Sequence, residues 1–303
     1  MFFLLLSLAF AKQLDVEIQK GSQEWSFSYT WKDTNKKKVS ANFQLPSEEV
    51  RADNAIPTLP KMTELREAEV QAIRRYAEGL PKGVKLKAWK SNGSVRMSVR
   101  SSKGRKAMKQ AMKGAKAAAE KGADQWMAAN GYMRADKTTI IVDYTRIVSE
   151  YTDEVAPVAA ALGGGEVRAE DAASVRKYLN RALSFVQSIP YERRGAGGKD
   201  AGYRRPLSLL ARNKGDCDGK ATLYLALVRA VLPDLPVAVV LIPNHAFVAV
   251  GIDAAPGELH FKRDGQVFVV AEPVGPAVVG LGKASGKSKS RVRLGLIDVH
   301  TVQ

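Results

Sequence analysis

One cysteine in 303 residues excludes a disulfide within the chain, so the fold must stand on its apolar core. Three scattered histidines beside that single thiol give no metal-ligand spacing, and no metal or other cofactor is expected. Acids are scarce: 31 Asp and Glu face 47 Lys and Arg, a net charge of +16. Long apolar runs are missing as well, since Met1 to Ala11 is too short to span a bilayer. That run ends in Ala9-Phe10-Ala11 before Lys12 and reads as a signal peptide without a basic n-region, which predicts an exported, periplasmic or extracellular protein. Gly163-Gly164-Gly165 and Gly195-Ala196-Gly197-Gly198 lack the preceding strand, lysine and hydroxyl of a phosphate loop. A leftover thiol in an exported protein suggests intermolecular pairing or chemistry.

The length allows two or three units, and 45% hydrophobic with 26% charged residues describes a globular chain. Its charge is uneven. Between Lys82 and Lys121 stand thirteen Lys or Arg against Glu120 alone, a net +12, and Lys283 to Arg293 adds five cations without an acid. A field of that size attracts anionic partners. An anionic envelope polymer or lipid surface is the expected partner, met through Lys85, Lys87, Arg96, Arg100, Lys106, Lys109, Lys113 and Lys116. Without interleaved aromatics on that face, no specific nucleic acid is expected.

Four segments are expected: a signal peptide over 1–11, a β hairpin and linker over 12–60, a basic α/β region over 61–135, and a larger α+β domain over 136–303. Trp25, Phe27, Tyr29 and Trp31 alternate with polar residues as in a half-buried strand, and Val39 to Leu45 completes its hairpin. The polar, proline-bearing stretch Pro46 to Lys61 reads as a linker. A helix opens at Thr63 and stops at Gly79. Val84 to Ala88 and Val95 to Arg100 flank Asn92-Gly93, a type I′ turn signal, with Lys85, Lys87, Arg96 and Arg100 outward. The next helix sets Lys106, Lys109, Lys113 and Lys116 opposite Met108, Met112, Ala115 and Ala119. Ile140 to Leu162 reads as one helix after a short extended start, and Asp171 to Gln187 as another. A glycine-rich loop spans Gly195 to Gly202, and a further helix runs from about Asp218 to Val231. Strands follow at Val237 to Ile242 and His245 to Ile252, with a hairpin over Leu259 to Glu272.

The lone cysteine lies in Gly215-Asp216-Cys217-Asp218-Gly219-Lys220, where a glycine turn gives way to an apolar helix. Unpaired N–H groups and the dipole at a helix N-terminus favour a thiolate, so the position predicts a lowered thiol pKa. His245, opening a strand, supplies a base, and Glu272, closing the next strand, an acid to orient it. Cys, His and acid form a thiol acyl-transfer set.

Phe185-Val186-Gln187-Ser188-Ile189-Pro190-Tyr191, Tyr203-Arg204-Arg205-Pro206-Leu207-Ser208-Leu209-Leu210, the Gly-Asp-Cys block and His245 together resemble the core of the transglutaminase-like cysteine peptidase superfamily, in its bacterial branch. The resemblance covers about Asp171 to Val274. It implies a papain-like core, with the cysteine capping a helix packed on an antiparallel sheet. It further implies Cys217 as nucleophile, His245 as base and then acid, and Glu272 as the residue holding the imidazole. The Cys217 N–H and a second donor, Gln187 or else Tyr203, would form the oxyanion hole. Glu272-Pro273 departs from the Asp-Pro more common in the family. The implied substrate is a protein or peptide amide, and the products are those of hydrolysis or transamidation. The rival reading is a catalytically silent domain of the same fold, held at an anionic surface by its basic region.

Overall fold

A computed structural model describes residues 13–56, 61–136, 139–192, 203–275 and 277–302. The fold is mixed α+β with antiparallel sheets, and it divides into two compact units. One runs to Leu59 and resumes at Tyr144, and the other is Pro60–Asp143. The expected signal segment and the loop Gly195 to Gly202 lie outside the described residues.

In the first unit, strands β1 (Gln13–Lys20), β2 (Glu24–Lys32) and β3 (Lys38–Pro46) form one sheet in that order. The period-two pattern of β2 puts Trp25, Phe27, Tyr29 and Trp31 on its buried face, each contributing about 2–3 kcal/mol. β1 adds an edge strand that the hairpin reading omitted. The expected linker after Pro46 is corrected to a helix, α1 (Ser47–Ala55). Glu48 and Glu49 suit its positive end, while Val50 and Asp53 are buried. Asp53 accepts hydrogen bonds from the Tyr151 hydroxyl and the Ser208 N–H, anchoring a helix whose composition is otherwise that of a loop.

The second unit contains α2 (Met62–Glu78), β4 (Val84–Ser91), β5 (Ser94–Ser101), α3 (Gly104–Ala129), β6 (Tyr132–Arg134) and β7 (Ile140–Val142). Asn92 and Gly93 both take positive φ, 48° and 71°, as the type I′ turn requires. α2 buries Leu65, Val70 and Ile73, and Gly122 lets α3 approach it closely. Two expectations fail here. Met108 is 37% exposed rather than packed, because the buried stripe of α3 runs through Ala111, Ala115 and Ala123. Trp89 also stands on the outer face of β4, 43% exposed, so that cationic face does carry an aromatic.

The short extended start expected at Ile140 is β7, but the single helix expected from there to Leu162 is instead two, α4 (Tyr144–Tyr151) and α5 (Ala156–Ala161). Pro157 sits in the first turn of α5, where its missing N–H costs nothing. α6 (Ala172–Ser188) starts at Asp171, whose carboxylate accepts from the Ala173 N–H. α7 (Pro206–Arg212) precedes α8 (Cys217–Arg229). Then come β8 (Val237–Ile242), β9 (His245–Val250), β10 (His260–Arg263), β11 (Gln266–Ala271), α9 (Gly286–Arg293) and β12 (Asp298–Val302). Their sheet has the order β10-β11-β9-β8-β12, with α8 packed on β9 and α4, α6 and α7 around α8. Tyr29 and Trp31 meet Phe185 of α6 at ring separations of 5.2 and 5.3 Å, so the N-terminal sheet shares this core. Among the described residues no helix is long and apolar enough to cross a membrane.

Candidate active site around Cys217

The chain reaches Cys217 through a tight turn. The Gly215 N–H donates to Pro190 O and the Glu192 N–H to Gly215 O, while a Cβ on Gly215 would lie 2.4 Å from Leu209 Cδ1. Asp216 caps α8 by accepting from the Gly219 N–H at 2.9 Å, which makes Cys217 the first residue of the helix. Gly219 is needed for space, because a Cβ there would stand 2.6 Å from Arg204 O. The α8 stripe behind these residues is fully buried, so the thiol end is rigidly held.

The sheet brings His245 to the same place. Pro243 and Asn244, the latter at φ 63°, make a two-residue turn between β8 and β9, with Ile242 opposite His245. In such a hairpin the flanking pair is hydrogen-bonded and the next pair, Leu241 with Ala246, is not, so the Ala246 N–H faces away from β8. β11 stops at Ala271, opposite Val248, and leaves that N–H unclaimed by the sheet. That N–H is close enough to the Cys217 sulfur to pull the thiol pKa down, against the larger effects of burial and two carboxylates. The thiol at the start of α8 and the residue following His245 are therefore neighbours, as the packing of α8 on β9 requires.

His245 Nε2 lies 2.9 Å from Glu272 Oε2, and Glu272 is itself fixed by the Ser288 hydroxyl at 3.3 Å and the Val274 N–H at 3.3 Å. With Nε2 engaged, Nδ1 is the nitrogen left for other work. The imidazole is one-fifth exposed and Glu272 nearly buried. The structure thus joins His245 to Glu272 directly and packs the helix that begins at Cys217 on the strand that carries His245.

Two expectations change. The thiol pKa is not lowered: burial, then the carboxylates of Asp218 and Asp216, push it up to about 12. The helix terminus is outweighed by burial and by two acids, Asp216 at the cap and Asp218 in the first turn of α8. Cys217 Sγ lies 3.6 Å from Asp218 Oδ2, while the Tyr144 hydroxyl donates to Asp218 Oδ1. Asp216 is raised too, by burial and then by Asp218. Gln187 is not free to bind an oxyanion. Its amide is fully buried, Nε2 donating to Glu272 O at 2.7 Å and Val279 O at 3.0 Å while Oε1 accepts from the Val279 N–H. It pins the chain that follows β11. Tyr203, the other residue weighed for that role, is buried as well.

Sequence reasoning missed Tyr191, Asp218, Tyr144, Ser288 and Lys220. Tyr191 lies close to Cys217, and burial followed by charge on the sulfur raises the pKa of the Tyr191 hydroxyl to about 12. Its ring is 43% exposed beside the thiol, a visible oddity for an aromatic next to a reactive group. Lys220 is buried completely, and its Nζ caps the end of α6 by donating to Val186 O at 3.0 Å and to Ile189 O. Burial lowers its pKa to about 7, against the pull of Glu272. Only a side-chain direction, which sequence does not give, would have revealed these contacts. His260 is exposed on β10 and His300 pairs with Asp298, both away from this chemistry.

No protein-family model, curated protein or solved structure matches the chain.

Proposed function

We propose that the chain is a transglutaminase-like thiol acyl transferase with a papain-like core, acting on amide bonds of a protein or peptide. The observation that carries this reading is the pairing of His245 Nε2 with Glu272 at 2.9 Å at the start of β9, the strand on which the Cys217 helix packs. Nucleophile, base and orienting acid then belong to neighbouring elements, α8 on β9 and β9 beside β11, the set of groups that the chemistry requires.

Because the resting thiol is neutral, it loses its proton as it attacks rather than beforehand. His245 Nδ1 takes that proton while an S–C bond forms to the substrate carbonyl. Glu272 holds the ring and stabilises the imidazolium. The tetrahedral oxyanion is met by the Cys217 N–H in the first turn of α8 and by the Tyr191 hydroxyl, which replaces Gln187 in that role. The intermediate collapses with cleavage of the C–N bond, and the imidazolium proton goes to the leaving amine. A thioester remains. Water or a second amine then attacks it, His245 accepts the incoming proton, and the thiol is re-formed.

The raised thiol by itself favours a second reading, a silent domain of the same fold. Intact-mass analysis after incubation with p-nitrophenyl acetate and a panel of glutamine and peptide amides separates the two. The enzyme reading expects a single acyl adduct on Cys217 that disappears in Cys217→Ala. An unmodified protein throughout the panel, or adducts scattered over lysines, supports the silent domain.

A further inference from the structure

The hairpin of β4 and β5 is a two-stranded sheet with an outer face of unusual make-up. Its register sets Lys85 opposite Arg100, Lys87 opposite Ser98 and Trp89 opposite Arg96, and all six residues are exposed. Among the described residues none of these four cations has an ion-pair partner, whereas Lys90, at the margin, pairs with Glu67 at 2.6 Å. Like charges directly across a strand pair are unfavourable, so a face serving only as a solvated exterior would be cheaper with mixed signs. Trp89 is 43% exposed although the inner face of the same hairpin offers apolar company in Leu86, Val95 and Met97.

We propose that this outer face docks on an anionic phospholipid bilayer, with Trp89 at headgroup depth and Lys85, Lys87, Arg96 and Arg100 on the lipid phosphates. Charge complementarity selects an anionic partner, and shape selects among anions. At about 3.3 Å per residue, Lys85 to Trp89 spans roughly 13 Å of open ribbon, and a sheet of two strands has no further strand to wall a groove. Single-stranded nucleic acid needs successive stacking platforms along a channel, and this face has one aromatic. An indole among cations on an open surface suits the membrane interface, where Trp prefers headgroup level and each cation near an anionic leaflet strengthens binding about fivefold. The lysine stripe of α3, Lys106, Lys109, Lys113 and Lys116, adds to the same positive field.

Co-sedimentation of the full chain with vesicles of phosphatidylglycerol in phosphatidylcholine tests this. Binding is expected to anionic but not to pure phosphatidylcholine vesicles, and to fall as salt rises. The double variant Lys85→Gln/Arg100→Gln loses roughly 20-fold in affinity, Trp89→Ala loses affinity together with the blue shift of tryptophan emission, and Cys217→Ala binds as the parent does. A vesicle-bound parent with unaltered ribbon variants overturns the proposal. So does equal binding to neutral vesicles, or ribbon-dependent binding of oligothymidylate or heparin by a protein that ignores the vesicles. Trp89→Phe and Lys87→Gln repeat the test should either first variant misfold.

Discussion

Around Cys217, ionisable groups are sunk into the protein and held by one another: Glu272 between His245 and Ser288, Lys220 against the end of α6, Asp216 on the first turn of α8. In Pro60–Asp143 the cations instead stand in the open on the β4–β5 ribbon and on α3, mostly unpaired. The first arrangement makes protonation states depend on burial and near neighbours, which is what proton transfer needs. The second leaves charges hydrated and additive, which suits encounter with a large anionic partner and gives no control over protons. Substitutions should therefore act on rate and pH dependence in one region and on salt-dependent association in the other.

Glu272→Gln should break the comparison most severely on the buried side. It keeps a hydrogen-bonding group near the imidazole but removes the charge that stabilises its protonated form, and acylation of Cys217 is expected to fall about 10²- to 10⁴-fold with little change in thermal midpoint. Gln187→Ala should do the reverse. By stripping three hydrogen bonds from a buried site it should cost about 2–4 kcal/mol in denaturant unfolding. Were Gln187 an oxyanion donor instead, Gln187→Ala would lower kcat and leave stability unaltered.

Smaller effects sharpen the contrast. Asp218 is the nearest charge raising the thiol, so Asp218→Asn should speed iodoacetamide alkylation at pH 8 by about tenfold, read as a downward shift of the rate–pH profile. Lys220 is lowered on folding from 10.5 to about 7. The unfolded chain then holds more protons between those values, so this group makes stability rise with pH from about 7 to 10.5 and adds no slope below 7, where both states are protonated. Lys220→Met should flatten that slope in chemical denaturation series. Smallest of all, Lys85→Glu turns a like-charge pair with Arg100 into an opposite one, and should stabilise the second unit by about 0.2–1 kcal/mol while weakening association with anions.

Strong periodicity was legible in the chain itself: the aromatic face of β2, the Asn92-Gly93 hairpin, α6 behind its Asp171 cap, and the run from α8 through β11 all lie where pattern placed them. Legible too was the alignment of His245 with Glu272, because each sits at the end of a strand in one small sheet. Failures came where tertiary anchors override composition. α1 looks like a linker until Asp53 meets Tyr151 and Ser208, and α9 and β12 are polar elements completed by neighbours distant in sequence. The thiol was misjudged for a related reason. A helix terminus is a local feature readable from Gly215 to Lys220, whereas burial and the orientation of Asp218 are not. Gln187 lies next to the site in space, yet its amide is spent on Val279, ninety-two positions away.

That His245 is the base for Cys217 is tested most directly by the single-turnover rate of Cys217 acylation at neutral pH in the parent protein and in His245→Ala. A fall of about 10²- to 10⁴-fold, partly restored by imidazole in the buffer, is the predicted result. Equal rates in the two proteins would contradict the account.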